Sequence, residues 1–168
     1  MTDPTVTVAD IMRHEAPTVT PADSIGAVAR MLVEHQVSGL PVVENGEIVG
    51  MITEYDLIAR EVDVTVPTVV PWLDALLVAD GGRDFDDEMR QVLALTAGEL
   101  MSLPVINIRS MATLSQVATL MVEQRLSTIP VIDDELSLIG LVTRSDLVRI
   151  IARLESLGDL EESDVAGR

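Results

Sequence analysis

The chain carries the same short phrase twice. Gly50 begins the sequence GMITEYD and Gly140 begins GLVTRSD, and each phrase follows a segment with the pattern Ser-X-X-Pro-Val. Pro41 and Pro130 lie 89 residues apart whereas the two Gly lie 90 apart, so one residue has been inserted between them, in a turn where an insertion is cheapest. A chain of 168 residues with this duplication is expected to form two half-size units that share one core.

The first repeat is predicted to contain two helices and two strands, with a further short strand before them. Apolar residues recur at helical spacing in one segment, and two short apolar runs flank the Asn45-Gly46 dipeptide, which favours a tight hairpin turn. The predicted elements are a strand at 18–20, a helix capped by Asp23 or Ser24 and ending at His35, strands at 39–43 and 47–52, and a helix at 55–60.

The second repeat has the same order of elements. Thr113 is predicted to cap a helix through Arg125, and strands at 128–132 and 137–142 and a helix at 145–154 follow. A unit of about 50 residues buries too little surface to be robust alone, so the repeats are expected to stack through their sheets as a pseudo-two-fold pair. The predicted fold class is therefore α+β.

The segment that joins the repeats differs from both. It is predicted to form two short helices on either side of Gly81-Gly82, and it is interpreted either as a strap over the core or as a lid or partner-binding element anchored by Trp72. The chain after the second repeat is acidic and is expected to be frayed. The predicted parts are repeat 1 (1–60), a helical connector (61–97), repeat 2 (98–156) and an acidic tail (157–168).

Composition argues against several classes of function. The formal net charge is −17 and all eleven basic residues are Arg, so the chain lacks the clustered cationic face of a nucleic-acid binder. It has no Cys, which excludes disulfides and thiolate chemistry. The first residues lack a secretory signal, and no charge-free run approaches the roughly 20 apolar residues of a membrane span. A soluble, cytoplasmic protein without nucleic-acid or membrane partners is expected.

A Thr-X-X-Asp pattern closes each phrase at the start of a predicted helix. Thr53 with Asp56, and Thr143 with Asp146, have the spacing of a capping box, in which hydroxyl and carboxylate satisfy backbone N–H groups. The same groups suit a nucleotide, because a helix start favours anions and a carboxylate can accept hydrogen bonds from the neighbouring hydroxyls of a ribose. One role does not exclude the other.

Each box is preceded by a Pro on a predicted strand edge. Ser38 to Pro41 and Ser127 to Pro130 place a residue without an N–H beside aliphatic neighbours. Nearby backbone amides and carbonyls are then available to hydrogen-bond a flat base.

Taken together, these residues resemble the CBS-domain pair, the tandem module named after cystathionine beta-synthase. The resemblance covers approximately residues 8–60 and 97–153. It rests on the duplicated G-h-h-T-X-X-D phrase (h, hydrophobic), the preceding Pro-Val strand and an Asp-Ile-Met or Glu-Leu-Met lead-in. It implies a β-α-β-β-α unit used twice, two clefts between the units, and a regulatory module that binds adenosine-containing ligands such as AMP, ADP, ATP or S-adenosylmethionine.

Carried over by position, the resemblance implies two sets of ligand contacts. The Thr and Asp side chains would hold a ribose, and the backbone around each Pro would meet a base. The first cleft would use Gly39, Leu40, Pro41, Thr53 and Asp56, and the second would use Thr128, Ile129, Pro130, Thr143, Arg144 and Asp146.

The second cleft is the preferred one. The residue after the capping Thr is Glu54 in the first repeat and Arg144 in the second. Arg144, helped by Arg125, could pair with a phosphate, whereas Glu54 would repel one. The plain alternative is that Arg144 is a solvated helix residue. The first cleft is expected to be empty or to prefer a nucleoside.

Two other residue types were candidates for chemistry. The two His, His14 and His35, have no spacing that pairs them with a nucleophile or with metal ligands, so neither a catalytic nor a metal site is predicted. Met12 and Met101 occupy matching lead-in positions and are interpreted as core residues that could edge a base pocket.

Three functions compete. The leading hypothesis is a sensory homodimer that binds an adenine nucleotide and changes shape, so that an unidentified effector protein reads the metabolite state. The alternative is a purely structural or protein-interaction pair with empty clefts. An enzyme is the least expected, and no catalytic cofactor is predicted.

Overall fold

The computed structural model describes residues 6–61 and 94–165, with side chains described up to residue 156. The helices predicted around Trp72 and Gly81-Gly82 lie outside the described residues. Within the described ranges, no helix has both the length and the apolar character that crossing a bilayer requires. The elements are α1 (Val8–Ile11), α2 (Ile25–His35), β1 (Gly39–Glu44), β2 (Glu47–Thr53), α3 (Glu54–Ala59), α4 (Ala97–Leu100), β3 (Ile108–Arg109), α5 (Leu114–Glu123), β4 (Thr128–Ile132), β5 (Leu138–Thr143) and α6 (Arg144–Val165).

Contacts within the chain define two compact units, each built around one repeat. Each unit takes its lead-in helix from the segment that precedes the other repeat, so α1 belongs with repeat 2 and α4 belongs with repeat 1. Among the described residues, the second-repeat unit comprises 6–17, 37–39 and 105–165, and the first-repeat unit comprises 18–36, 40–61 and 94–104.

Backbone hydrogen bonds hold α1 in the second-repeat unit. The Val8 N–H donates to the Ala112 carbonyl at 2.8 Å, and Arg13 and Leu141 exchange two bonds, of 2.8 and 3.0 Å. The Val8 side chain is fully buried. Burying a Val side chain stabilises the folded state by about 1.5–3 kcal/mol. Its core cluster also contains Val117, Met121, Ile129, Val131, Val142 and Leu147.

The sheet of the second-repeat unit has the order β3-β4-β5. Strand β3 runs parallel to β4, with Ile108 opposite Val131, and β4 runs antiparallel to β5, with Thr128 opposite Thr143. Every residue of β4 is buried, as expected for a central strand. This register brings the two Thr side by side where β5 ends and α6 begins.

The first-repeat unit repeats this arrangement in a smaller sheet. Strands β1 and β2 pair across the Asn45-Gly46 turn, whose φ angles of 51° and 86° are those of the predicted tight hairpin. Val19 forms a parallel bridge to Val42, the counterpart of Ile108 on Val131. Helix α4 is attached by the Ala97 N–H, which donates to the Asp23 carbonyl at 2.8 Å.

The predicted α+β class is confirmed, and the order helix, strand, strand, helix is present in both repeats. Two details of the prediction are wrong. The strand expected at 18–20 is reduced to the single bridging residue Val19. Helix α6 continues to Val165 instead of fraying after Ser156, because residues 155–165 contain no Pro and are rich in helix-forming Leu and Glu.

The boundaries predicted after residues 60, 97 and 156, which separate the two repeats, the connector and the tail, stay a prediction. The contacts divide the chain elsewhere because the lead-in segments are exchanged. The stacking of the repeats about a pseudo-two-fold axis also stays a prediction.

Candidate functional site

The carboxylate of Asp56 is held in place by the residue that caps its helix. Thr53 ends β2 and caps α3, and its backbone N–H and its hydroxyl both donate to Asp56 Oδ2, at 2.7 and 2.6 Å. The Asp56 N–H donates in return to Thr53 Oγ1 at 3.4 Å. The predicted capping box is therefore present. It accounts for a carboxylate in a residue that is only 5% exposed, because a buried charge needs hydrogen-bond partners.

Asp146 repeats this geometry in the second-repeat unit. The N–H and the hydroxyl of Thr143 donate to Asp146 Oδ2 at 3.0 and 2.7 Å, and the Asp146 N–H donates to Thr143 Oγ1 at 3.3 Å. Both residues are buried, Asp146 at 3% exposure. The second predicted capping box is therefore also present.

The two carboxylates differ at the other oxygen. Asp56 Oδ1 accepts a hydrogen bond from the Ser102 hydroxyl at 3.3 Å. Asp146 Oδ1 is ion-paired with two guanidinium groups, through Arg13 Nε at 3.3 Å and Arg149 Nη1 at 2.9 Å. Ser102 and Arg13 each come from the exchanged lead-in of their unit.

The predicted base-contacting segments lie on buried strands. Thr128, Ile129 and Pro130 are buried on β4, and the Thr128 hydroxyl lies 3.2 Å from that of Ser38. The second-cleft residues thus all belong to the second-repeat unit, with Thr128 opposite Thr143.

The first set of residues is divided between the two units. Leu40 and Pro41 are buried on β1 and belong with Thr53 and Asp56 to the first-repeat unit, whereas Gly39 is grouped by its contacts with the second-repeat unit. The Pro41 carbonyl accepts a hydrogen bond from the Val19 N–H at 3.1 Å. This bond uses one of the two lone pairs of the carbonyl, so its availability to a base stays a prediction.

The predicted cationic partners of a phosphate are exposed. Arg144 Nε donates to the Leu126 carbonyl at 2.8 Å, which holds this guanidinium group just beyond the end of α5. Arg125 is exposed and has a φ of 55°, in the left-handed conformation just after α5. His14 and His35 are exposed as well.

The lead-in Met residues explain the Gly that begins each phrase. A Cβ on Gly140 would lie 2.6 Å from the Arg13 carbonyl oxygen and 3.0 Å from Met12 Sδ, and a Cβ on Gly50 would lie 2.8 Å from Met101 Cγ. Only Gly admits the lead-in this close to the strand. Both Met are partly buried, and Met12 packs against the core cluster.

Sequence reasoning missed three residues at the carboxylates: Arg13, Ser102 and Arg149. Arg13 and Ser102 each follow the lead-in Met and lie 89 residues apart, the offset of the two Pro, so the duplication itself contained the signal. Arg149 lies three residues after Asp146 on α6, where a helical i, i+3 pair can meet.

The lead-in helices are capped in the same way as α3 and α6. The Thr7 backbone N–H, and then its hydroxyl, donate to Asp10 and lower the pKa of that carboxyl. The Leu95 N–H, followed by the N–H and hydroxyl of Thr96, lowers the pKa of Glu99. Each exchanged lead-in therefore has its own local stop signal, which fixes where the chain enters the other unit.

No group of three or more His, Asp or Glu side chains within residues 6–61 and 94–156 is arranged to hold a metal ion. The polar groups at the candidate site are instead carboxylates, hydroxyls and guanidinium groups. They define a class of protein in which an α+β unit occurs twice, and each copy holds one Asp carboxylate against the Thr that caps a helix.

The chain belongs to the CBS domain family, whose model matches residues 8–63 and 97–153. Among its relatives is an uncharacterized protein of Methanocaldococcus jannaschii, 28% identical over 152 residues that cover 86% of this chain and 90% of the relative. Another is the chloroplastic CBS domain-containing protein CBSX2 of Arabidopsis thaliana, 29% identical over 160 residues that cover 89% of this chain and 65% of the relative.

Solved structures share this fold. The crystal structure of CBSX2 in complex with AMP matches with a TM-score of 0.70 and 28% identity, covering 88% of this chain and 97% of that one. The CBS domain pair of protein MJ0100 in complex with 5′-methylthioadenosine and S-adenosyl-L-methionine matches with a TM-score of 0.65 and 25% identity, covering 87% and 99%.

Proposed function

We propose that the chain is a regulatory module that binds an adenosine-containing ligand, such as AMP, ADP, ATP or S-adenosylmethionine, through Asp56 and Asp146. The observation that carries the proposal is the repeated geometry of these two residues. In each, the capping Thr fixes Oδ2, and Oδ1 meets polar side chains instead of the apolar core. A carboxylate held in place in this way can recognise two neighbouring hydroxyls without first being ordered.

The ligands of the two solved relatives support this choice. AMP, 5′-methylthioadenosine and S-adenosyl-L-methionine differ in charge but share an adenine base and a ribose with two neighbouring hydroxyls. We assign the ribose to the two Thr-Asp pairs. The backbone of Gly39 to Pro41 and of Thr128 to Pro130 would meet the base.

We also propose the second-repeat unit as the preferred site for a nucleotide. Arg144 is exposed and, among the described residues, its guanidinium is engaged only through Nε. The terminal nitrogens can therefore pair with a phosphate. Glu54 occupies the corresponding position beside Asp56 and disfavours one.

Regulation requires a second conformation and a partner that reads it. A ligand shifts a conformational equilibrium only through different affinities for the two states. Exposed apolar residues recur on the outer helices of both units, Val33 and Ile58 in one and Val122 and Val148 in the other. We propose that these helices form a symmetric homodimer, which an unidentified effector protein reads in the cytoplasm without any catalytic step.

One observation favours a second candidate, a purely structural pair. Both carboxylates are almost fully buried and have hydrogen-bond partners within their own units. A helix-capping role alone would explain that arrangement.

Thermal unfolding with a panel of adenosine compounds separates the two candidates. A ligand present at about 100 times its dissociation constant stabilises a protein by about 2.7 kcal/mol, which is a shift of several degrees in Tm. A structural pair would show no shift with any compound. Mass spectrometry of small molecules released from freshly purified protein would name a ligand that is held tightly.

A further inference from the structure

Two hydroxyl groups meet beside β4 of the second-repeat unit. Ser38 Oγ and Thr128 Oγ1 are 3.2 Å apart, and either oxygen can be the donor. Thr128 is only 4% exposed, and Ser38 is partly buried. Ser38 belongs to the first repeat by sequence, but residues 37–39 are grouped by their contacts with the second-repeat unit. The hydroxyl pair therefore lies within that unit.

The pair has one more proton than its hydrogen bond uses. A hydroxyl carries one donor proton and two acceptor lone pairs, so one bond between two hydroxyls leaves one proton over. In the part of the chain that the structure describes, neither hydroxyl bonds to any other group. By contrast, the Thr143 hydroxyl donates its proton to Asp146 Oδ2. The Ser38–Thr128 pair can therefore donate a hydrogen bond to a molecule bound beside it.

The register of the sheet places this pair next to the residues that are proposed to hold the ribose. Thr128 lies directly opposite Thr143 in the antiparallel ladder of β4 and β5. Residues directly opposite each other point to the same face of a sheet, with their Cβ atoms about 4.5–5.5 Å apart. Thr143 in turn holds Asp146 Oδ2 through its N–H and its hydroxyl. The hydroxyl pair and the capped carboxylate therefore share one face of the second-repeat unit.

The chemistry of an adenosine ligand matches a donor at this place. The base is bonded to the ribose carbon next to the one that carries the 2′-hydroxyl, so a ribose at Asp146 brings the base close to the pair. Adenine has ring nitrogens that accept a hydrogen bond. In the free protein, water can take the spare proton at the partly buried Ser38. A bound base displaces this water, so a base without an acceptor here leaves the donor unpaired and loses affinity.

The duplicated chain lacks the pair at the matching positions. An offset of 89 residues matches Ser38 with Ser127. The same offset matches Thr128 with Gly39, which has no side chain to donate a hydrogen bond. The spare donor is therefore specific to the second-repeat unit.

We infer that Ser38 and Thr128 are base-recognition residues of the second-repeat site, where their hydroxyl pair donates one hydrogen bond to a ring nitrogen of the adenine. The inference rests on the proposed function, because the ribose at Asp146 brings the base to the pair. It assigns a side chain of the first repeat to the site of the second repeat.

Calorimetry with AMP and its 1-deaza, 3-deaza and 7-deaza analogues tests the inference. An Asp56→Asn background reports on the site at Asp146, and each analogue replaces one ring nitrogen by a C–H group. The analogue that lacks the nitrogen facing the pair should bind about tenfold more weakly than AMP. The double substitution Ser38→Ala with Thr128→Val removes both hydroxyls and should bring that affinity ratio close to one.

Two control variants distinguish recognition from damage to the fold. Ser127→Ala, at the position that matches Ser38, should leave all affinity ratios unchanged. Thr128→Ser keeps both hydroxyls and should keep the ratio even if it lowers Tm. A pair that only fastens residues 37–39 to β4 would, when removed, weaken AMP and all three analogues by the same factor.

The outcomes separate this inference from the proposed function. Three analogues that bind as tightly as AMP, or a ratio that the double substitution leaves unchanged, overturn the inference alone. Loss of all AMP binding on the Asp56→Asn background also overturns the inference alone. Absence of AMP binding to the unsubstituted protein overturns the proposed function as well.

Discussion

Met12 lies directly against Gly140, so that a Cβ on this Gly would come within 3.0 Å of Met12 Sδ. The pair joins a lead-in that precedes the first repeat to a strand of the second repeat. Met101 and Gly50 form the equivalent pair in the other unit. The Gly of each duplicated phrase therefore serves the exchange of lead-ins, and the Thr and Asp that follow serve the candidate site.

Gly140→Ala should destabilise the protein by about 1–3 kcal/mol, because the added methyl group would also lie 2.6 Å from the Arg13 carbonyl oxygen, which the β5 pairing holds in place. Chemical denaturation measures the change. Gly26→Ala is the control, since Gly26 lies in α2 with its nearest neighbouring atom 3.9 Å away on the flexible Arg30. That substitution should stabilise by about 0.5–1 kcal/mol. A Gly140→Ala protein as stable as its parent would contradict the exchange.

Acid should weaken the attachment of both lead-ins. The pKa values of Asp10 and Glu99 are lowered from 3.8 and 4.5 in the folded protein, so their contribution to stability is full above these ordinary values and is lost as the pH falls through the lower folded pKa values. Urea denaturation at a series of pH values between about 5 and 2 measures this loss. The Asp10→Asn, Glu99→Gln double variant should lose less stability over that range. Identical pH profiles would show that the two caps contribute nothing.

Asp146→Ala should weaken nucleotide binding more than Asp56→Ala. The residue two positions before Asp146 is Arg144, which favours a phosphate, whereas the residue two positions before Asp56 is Glu54, which disfavours one. Calorimetry with AMP measures both losses, each expected to be about tenfold or more where a charge-assisted hydrogen bond to ribose disappears. Both substitutions also remove a capping partner, which costs about 1 kcal/mol, so folding must be verified by thermal unfolding. Equal losses would reject the preference for the second site.

Val122→Glu on α5 and Val33→Glu on α2 should each convert the proposed homodimer to a monomer of 18.1 kDa, as measured by light scattering after gel filtration. These side chains are 77% and 78% exposed in the single chain, and a charge buried in an apolar interface is strongly unfavourable. Ser115→Glu, at an exposed polar position of α5, is the control and should leave the mass unchanged. A dimer that survives both Val substitutions would place the interface elsewhere.

The secondary structure could be predicted because its signals are local. Helix α2 and strand β4 have their predicted bounds, since hydrophobic spacing, the Ser24 cap and short β-branched runs each act within a few residues. The two capping boxes were predictable for the same reason, because a Thr and an Asp three residues apart meet through one turn of backbone.

The surroundings of the carboxylates depend on contacts that are distant in sequence. Arg13 reaches Asp146 across 133 residues and Ser102 reaches Asp56 across 46. Both contacts follow from the exchange of lead-ins, which no local pattern indicates. Arg144 was chosen for its place next to the capping Thr, but the side chains that meet Asp146 Oδ1 are Arg13 and Arg149.

Calorimetric titration of the unsubstituted protein and of the Asp56→Asn, Asp146→Asn double variant with AMP and adenosine tests the central claim most directly. Asn retains the size of the side chain and an oxygen for the capping Thr, so the fold should persist while the charge that recognises ribose is removed. The account predicts saturable binding to the parent and its loss in a double variant that unfolds with a similar Tm. Binding of equal affinity in both proteins, or in neither, would contradict it.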